Sequence, residues 1–328
     1  MPFRCVVNWL CLGAAVFLSA CASAPLHRPP VSTLCKMETT PIWTARDGTQ
    51  LPYQQWPGSP ADPRAVVLCV HGLSGAAKDF WPVGESFPQK GYAVYGMQLR
   101  GQGNDPDAAR RGDIRRARQW QEDLLDFTAF IRARHPGVPL YWFGESLGAL
   151  ITINTAGSLG DKLDETVAGI ILTSPVVALR ENLQLSFLKN LALRTLMLMW
   201  PGKRISLEKL GNSAVQVTSE TTHREQMQHT PHYVKDFTLR LFGQIEKLIK
   251  TCSESSARIR VPILVFYTPN DVLTSKEGVE RFFQQLASPD KTPVYFPKSY
   301  HLILHDRDRA AALEKLGEWL DQRTRSRP

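Results

Sequence analysis

Six short apolar runs alternate with helical stretches along most of the chain, and that alternation limits the fold more than any other feature. The runs are "AVVLCV" (65–70), "YAVYGMQL" (92–99), "PLYWFG" (139–144), "VAGIILTS" (167–174), "VPILVFYT" (261–268) and "PVYFP" (293–297). The first is continuously apolar and rich in β-branched residues, the pattern of a parallel strand covered on both faces. Helical segments fit between the runs. Residues 77–89 form one. Residues 117–135 form another, with Trp120, Leu124, Phe127 and Ile131 at helical spacing and His135-Pro136-Gly137 as its stop. "LGALITINTAG" opens a third, and 307–323 closes the series with Leu313, Leu316 and Leu320 on one face. Strand alternating with helix predicts an α/β fold with a mainly parallel sheet flanked by helices. Before it, residues 44–56 read as two strands around an Asp47-Gly48 turn.

One stretch breaks the rhythm. More than eighty residues separate the fourth run from the fifth, far beyond an ordinary crossover, and no clear strand lies between them. Residues 176–235 read as an inserted helical lid, followed by a returning crossover helix. Its most apolar part, "LQLSFLKNLALRTLMLMW" (183–200), is interrupted by Lys189 and Arg194, which argues against a membrane span. Two readings stand: a helix packed on its own domain, with Met197 and Trp200 as lid core, or a lid lining an acyl-chain channel and touching a bilayer.

The amino-terminal residues read as an address. "MPFRCVVNWLCLGAAVFLSAC" carries Arg4, then an apolar run too short to span a bilayer comfortably. Residues 1–20 are therefore expected to be a signal peptide. "LSAC" (18–21) resembles the bacterial lipobox, which implies cleavage before Cys21 and its lipidation. Buried acyl chains would hold the protein on a membrane. Ala22 stands where, in such lipoproteins, an aspartate retains the protein at the inner membrane. This places the chain in a bacterial cell envelope, on the outer membrane where one exists. Residues 21–38, rich in Pro and Ser, read as a tether, 39–322 as the folded domain and 323–328 as a basic tail. Cys35, Cys69 and Cys252 then remain, enough for at most one disulfide, with Cys35–Cys252 unsupported and Cys69 a buried small hydrophobe. The net charge of +8 suits anionic surfaces. Its two clusters, Arg110, Arg111, Arg115, Arg116 and Arg118, and Arg323, Arg325 and Arg327, lack nucleic-acid motifs and read as solvated charge. Nucleic acid is not expected as a partner, and no Cys/His spacing suggests a metal.

The chemistry centres on "YWFGESLGAL" (141–150), which reads strand, tight turn, helix. A serine hydroxyl needs a base to become a nucleophile, and the base needs a carboxylate to fix its tautomer. Such groups collect past the C-terminal ends of strands in a wound sheet, in the chain order Ser, Asp or Glu, His. Ser146 follows the third run. Asp271 follows "VPILVFYTPN", with Asp306 and Asp308 as rivals. His301 follows "PVYFPKSY", with His305 as rival. Glu145 is expected to face a loop or solvent, and His71 to be structural.

These segments resemble the α/β-hydrolase superfamily, and within it the monoacylglycerol lipase and lysophospholipase group, which includes serine aminopeptidase-type domains. The likeness rests on "VHGLSG" (70–75), "MQLRGQGND" (97–105), "GESLGA" (144–149), "TPNDVLT" (268–274) and "SYHLILHD" (299–306), and spans about 40–322. It implies an α/β-hydrolase fold with Ser146 as nucleophile, Asp271 as acid and His301 as base. The backbone N–H groups of Leu73 and Leu147 would form the oxyanion hole. It implies no cofactor and no metal. Gln98 and Asn104 depart from the group's usual Asp and Ser, in a structural turn. The expected activity is a lipid-anchored serine esterase that cleaves monoacylglycerol or lysophospholipid-type fatty acyl esters through an acyl-enzyme. The rivals are an aminopeptidase, with Glu208, Glu220 or Glu225 holding the substrate ammonium, and a non-catalytic envelope lipoprotein.

Overall fold

The computed structural model describes residues 40–56, 62–181, 187–206, 216–221, 230 and 232–324. The lipobox with Cys21, the tether with Cys35, and Arg325 and Arg327 lie outside the described residues. The strands are β1 (Ile42–Thr44), β2 (Gln50–Gln55), β3 (Ala65–Val70), β4 (Tyr92–Met97), β5 (Leu140–Glu145), β6 (Gly169–Thr173), β7 (Arg204–Ser206), β8 (Asp236–Thr238), β9 (Ile263–Tyr267) and β10 (Lys291–Tyr295). The helices are α1 (Trp81–Ser86), α2 (Ala117–Arg132), α3 (Leu147–Leu159), α4 (Leu163–Thr166), α5 (Phe187–Met199), α6 (Leu239–Ser256), α7 (Lys276–Gln285) and α8 (Arg309–Thr324). Short 3-10 turns at Ala77–Phe80 and Pro88–Lys90 flank α1, so the helix expected over 77–89 is broken into three pieces.

Eight strands form one sheet in the order β1-β2-β4-β3-β5-β6-β9-β10. From β4 to β10 all neighbours are parallel, and β1 and β2 add an antiparallel edge. This is the α/β-hydrolase architecture. Every residue of β3, β4, β5 and β6 is buried, as their mainly apolar runs lead one to expect, and in β5 this includes the charged Glu145. Successive side chains of a strand point to opposite faces. Val66, Leu68 and Val70 of β3 therefore join one core with Trp120, Leu124 and Phe127 of α2, while Ala65, Val67 and Cys69 join the other with Leu316, Trp319 and Leu320 of α8.

Three local differences from the sequence reading have physical causes. β10 starts at Lys291 and includes Pro293, because it is the last strand of the sheet and an edge strand tolerates a residue that donates no hydrogen bond. The insertion contains strand as well as helix: β7 lies within it and pairs antiparallel with β8, which follows directly after it, with Ile205 opposite Phe237. Three-residue strands are too short to show a period of two. Trp200 is not lid core. It is 54% exposed, whereas Met197 packs against the core.

The arginine cluster is partly paired. Arg110 bonds Asp105 at 2.7 Å, Arg111 donates to the Asp105 carbonyl, and Arg118 bonds Glu122. Cys69 and Cys252 are buried free thiols. Among the described residues no helix is long and apolar enough to cross a membrane, and no group of three His, Cys, Asp or Glu is placed to hold a metal ion.

Candidate active site

Ser146 stands between the end of β5 and the start of α3, with φ 53° and ψ −113°. A side chain seldom occupies positive φ, so the turn is strained, and strain of this kind is concentrated at functional sites. Two glycines make the turn feasible. A Cβ on Gly144 would lie 2.7 Å from the Ala149 Cα, and one on Gly148 would lie 1.9 Å from the Val70 carbonyl oxygen. The second approach lets the first turn of α3 pack directly against the end of β3.

The structure brings Ser146, His301 and Asp271 together, all of them buried. Asp271 follows β9, and its Oδ1 accepts the N–H groups of Leu273 and Thr274 at 2.8 and 3.2 Å. Its Oδ2 lies 2.9 Å from His301 Nδ1, and His301 Nε2 lies 2.9 Å from Ser146 Oγ. A carboxylate accepts, so Nδ1 carries the proton and donates it to Asp271. Nε2 of the neutral ring then accepts from the serine hydroxyl. This arrangement can take a proton from Ser146 and stabilise the resulting imidazolium.

The rivals are engaged elsewhere. Asp306 accepts the Tyr300 N–H at 2.7 Å and Asp308 accepts the Lys298 N–H at 2.9 Å, so both brace the loop that carries His301. His305 packs against Trp81, and burial holds its pKa down at about 4.

Leu147 is the first residue of α3, where a backbone N–H has no partner within the helix. Leu73 is buried in the loop after β3. His71 braces that loop: its Nδ1–H donates to the Gly72 carbonyl at 2.8 Å, and its Nε2 accepts from Leu99 N–H at 3.0 Å and Gln98 Nε2 at 3.1 Å. Burial lowers its pKa to about 4, so it stays neutral and keeps this tautomer. Gln98 also donates to the Gln102 carbonyl at 3.0 Å. An amide that both donates and accepts can satisfy this turn where an aspartate could only accept.

Glu145 differs from the sequence expectation. It is buried, 2% exposed, and as the last residue of β5 it still pairs with Thr173 of the buried β6. Burial pushes its pKa up to about 7; His301 pulls it back and Asp79 adds to the rise.

Described residues of the far part of the insertion bond to loops beside this site. The Leu302 N–H donates to the Val217 carbonyl at 3.1 Å, Ser74 Oγ donates to the Val234 carbonyl at 3.1 Å, and His232 Nε2 lies 3.2 Å from Asp79. These bonds tie it to the loops of His301 and Leu73. Glu220 is exposed, and Glu208 and Glu225 lie outside the described residues.

The chain is similar to known proteins along most of its length. The chain is 27% identical to phospholipase YtpA of Bacillus subtilis over 81% of its own length and 99% of the relative's. It is 22% identical to monoglyceride lipase of Saccharomyces cerevisiae, over 85% of this chain and 92% of that protein. A crystal structure of a soluble variant of the yeast monoglyceride lipase, in complex with a substrate analogue, superposes with a TM-score of 0.74 at 20% identity, covering 90% of this chain and 99% of that one. The sequence profile described as "Serine aminopeptidase, S33" matches residues 61–308, which hold the strained serine turn, Asp271 and His301. With most of its length inside that match, and with this fold, the chain belongs to the serine aminopeptidase S33 family of α/β-hydrolases.

Proposed function

We propose that the protein is a serine hydrolase of fatty acyl esters, of the monoacylglycerol or lysophospholipid type. The observation that carries the reading is the hydrogen-bonded series from Ser146 Oγ through His301 to Asp271, set on a strained strand-to-helix turn. Ser146 attacks the ester carbonyl while His301 Nε2 takes its proton. Leu73 and Leu147 N–H groups meet the oxyanion. His301 then gives the proton to the departing alcohol, and the acyl group stays on Ser146. Water attacks the acyl-enzyme with His301 as base, the fatty acid leaves and the serine is restored. Asp271 holds the imidazole and balances its charge.

The insertion supports an apolar substrate. The half-buried side of α5 packs Met197 toward the core, while Leu191, Leu198, Met199 and Trp200 are exposed beside Arg194 and Lys203. Exposed apolar clusters of this kind mark contact surfaces, and a cationic border suits a lipid surface. Monoglyceride lipase and phospholipase relatives point to the same substrate class. The domain is read as 39–322 with 176–235 as lid, held to a bacterial envelope membrane by lipid on Cys21.

The family's description favours an aminopeptidase as the second reading. A fluorophosphonate and two substrates separate them. Wild type is expected to be labelled and to cleave a p-nitrophenyl acyl ester, with Ser146→Ala doing neither. Cleavage of an aminoacyl anilide but not of the ester would replace the first reading with the second. Undiminished esterase activity in Ser146→Ala would refute both.

A further inference from the structure

We propose that Ser174 is a positioning residue for the base, and that the dipeptide Thr173–Ser174 at the end of β6 sets the spacing of the three reacting side chains. This rests on the reading of Ser146, His301 and Asp271 given above. Each of their loops touches that dipeptide. The Ser146 N–H donates to the Thr173 carbonyl at 3.1 Å. The Ser174 N–H donates to the Phe266 carbonyl at 3.0 Å, in the strand that leads to Asp271. The Ser174 hydroxyl donates to the carbonyl of His301 itself at 2.5 Å.

The third bond decides the matter. A hydroxyl facing a carbonyl can only donate, so the bond has one sense and fixes the backbone of His301 relative to the sheet. Neighbouring residues of the same loop are tied to other places: Ser299 O accepts from Thr268 Oγ1 at 2.5 Å, Tyr300 N–H donates to Asp306, and Leu302 N–H donates to Val217 O. Those bonds hold the loop to β9, to itself and to the insertion. Ser174 holds the histidine to the strand beside the nucleophile.

The backbone of Ser174 gives an independent argument. Its φ is 45°, a conformation that suits glycine, and the residue is buried. A serine kept where glycine would relax the chain has a use for its side chain, and the only carbonyl that its hydroxyl is shown bonding is that of His301.

A positioning role and a purely structural one are separated by a pair of variants, of which Ser174→Gly relieves the backbone and removes the hydroxyl together. Ser174→Ala keeps the strain and removes the hydroxyl. For both, kcat on a dissolved p-nitrophenyl ester is expected to fall about tenfold, since small displacements of a catalytic group cost that much or more. KM stays the same, and the Ser174→Gly thermal midpoint is not lowered. The low-field proton resonance of His301 Nδ1–H should shift or broaden in both. Wild-type kcat in Ser174→Gly would overturn the proposal. So would a loss of activity that only follows loss of folded protein in both variants, because that makes Ser174 a stability residue. Wild type and Ser146→Ala run alongside: an inactive wild type would refute the reading of the site, not the role of Ser174.

Discussion

Replacing Glu145 with Gln should change how stability depends on pH. The carboxyl ordinarily titrates near 4.5, and in the folded chain burial pushes it up to about 7. Below the lower value it is protonated in both states and burial costs little. As pH rises toward 7 the unfolded chain gives up the proton first, so folded protein loses stability. Above 7 the carboxyl is charged in both states and the full cost, about 3 kcal/mol, is present. Between pH 5 and pH 8 the stability of Glu145→Gln relative to wild type should therefore grow by about 2.5 kcal/mol.

The comparison has to be between variant and wild type. Glu145 lies within electrostatic reach of His301 and Asp79, and Asp79 in turn of His71, His305 and, across the insertion, His232. Burial lowers His71 and His305 to about 4. They remain neutral in the folded chain, so they weaken it as pH falls from about 6.5, where an ordinary histidine titrates, toward 4. That trend opposes the effect of Glu145 within the same range and would hide it in a single curve. Subtracting urea unfolding free energies of the two proteins at each pH removes the shared part. A difference that stays flat within about 0.5 kcal/mol from pH 5 to pH 8 would refute the argument from burial.

Gly148→Ala should destabilise the fold by about 2–3 kcal/mol and abolish labelling of Ser146, because the new Cβ would sit 1.9 Å from the Val70 carbonyl and force α3 off the end of β3; urea unfolding and fluorophosphonate labelling read the two effects. Membrane engagement is read with two variants: Cys21→Ser should leave the protein without bound acyl chains by intact-mass measurement. Leu198→Glu, at an 83% exposed position, should keep stability within about 0.5 kcal/mol and keep turnover of a dissolved ester, yet slow hydrolysis of monoacylglycerol in vesicles. Equal rates on both substrates would remove α5 from contact with lipid.

The sheet was legible because its middle strands are buried on both faces. Composition alone then marks them: "AVVLCV" admits no polar face, and β3 occupies the same residues in the structure. Short strands that depend on a partner left no such mark. β7 and β8 exist through each other, with Ile205 opposite Phe237, and neither is long enough to show alternation. The edge strand β10 was displaced by two residues because Pro293 reads locally as a boundary, whereas pairing with β9 runs from Lys291 to Tyr295. Glu145 was misplaced for the opposite reason. A charged residue beside a glycine turn looks exposed, but Glu145 still pairs with Thr173 of the buried β6, and that neighbour is far away in sequence.

The same contrast runs through the site. Ser146, Asp271 and His301 could be picked out because each lies in the loop or turn that follows a strand, and a parallel sheet gathers strand ends at one edge however distant they are along the chain. What aligns them to within a hydrogen bond was not legible. Ser174 is one serine after one strand, and nothing in "ILTSPVV" shows that its φ is positive or that its hydroxyl meets the carbonyl of His301. Residue types tell which chemistry a strand end can support. The distance at which that chemistry operates is set by side chains whose partners lie on other loops, so the residues that tune the geometry of this site are those that its sequence pattern marks least.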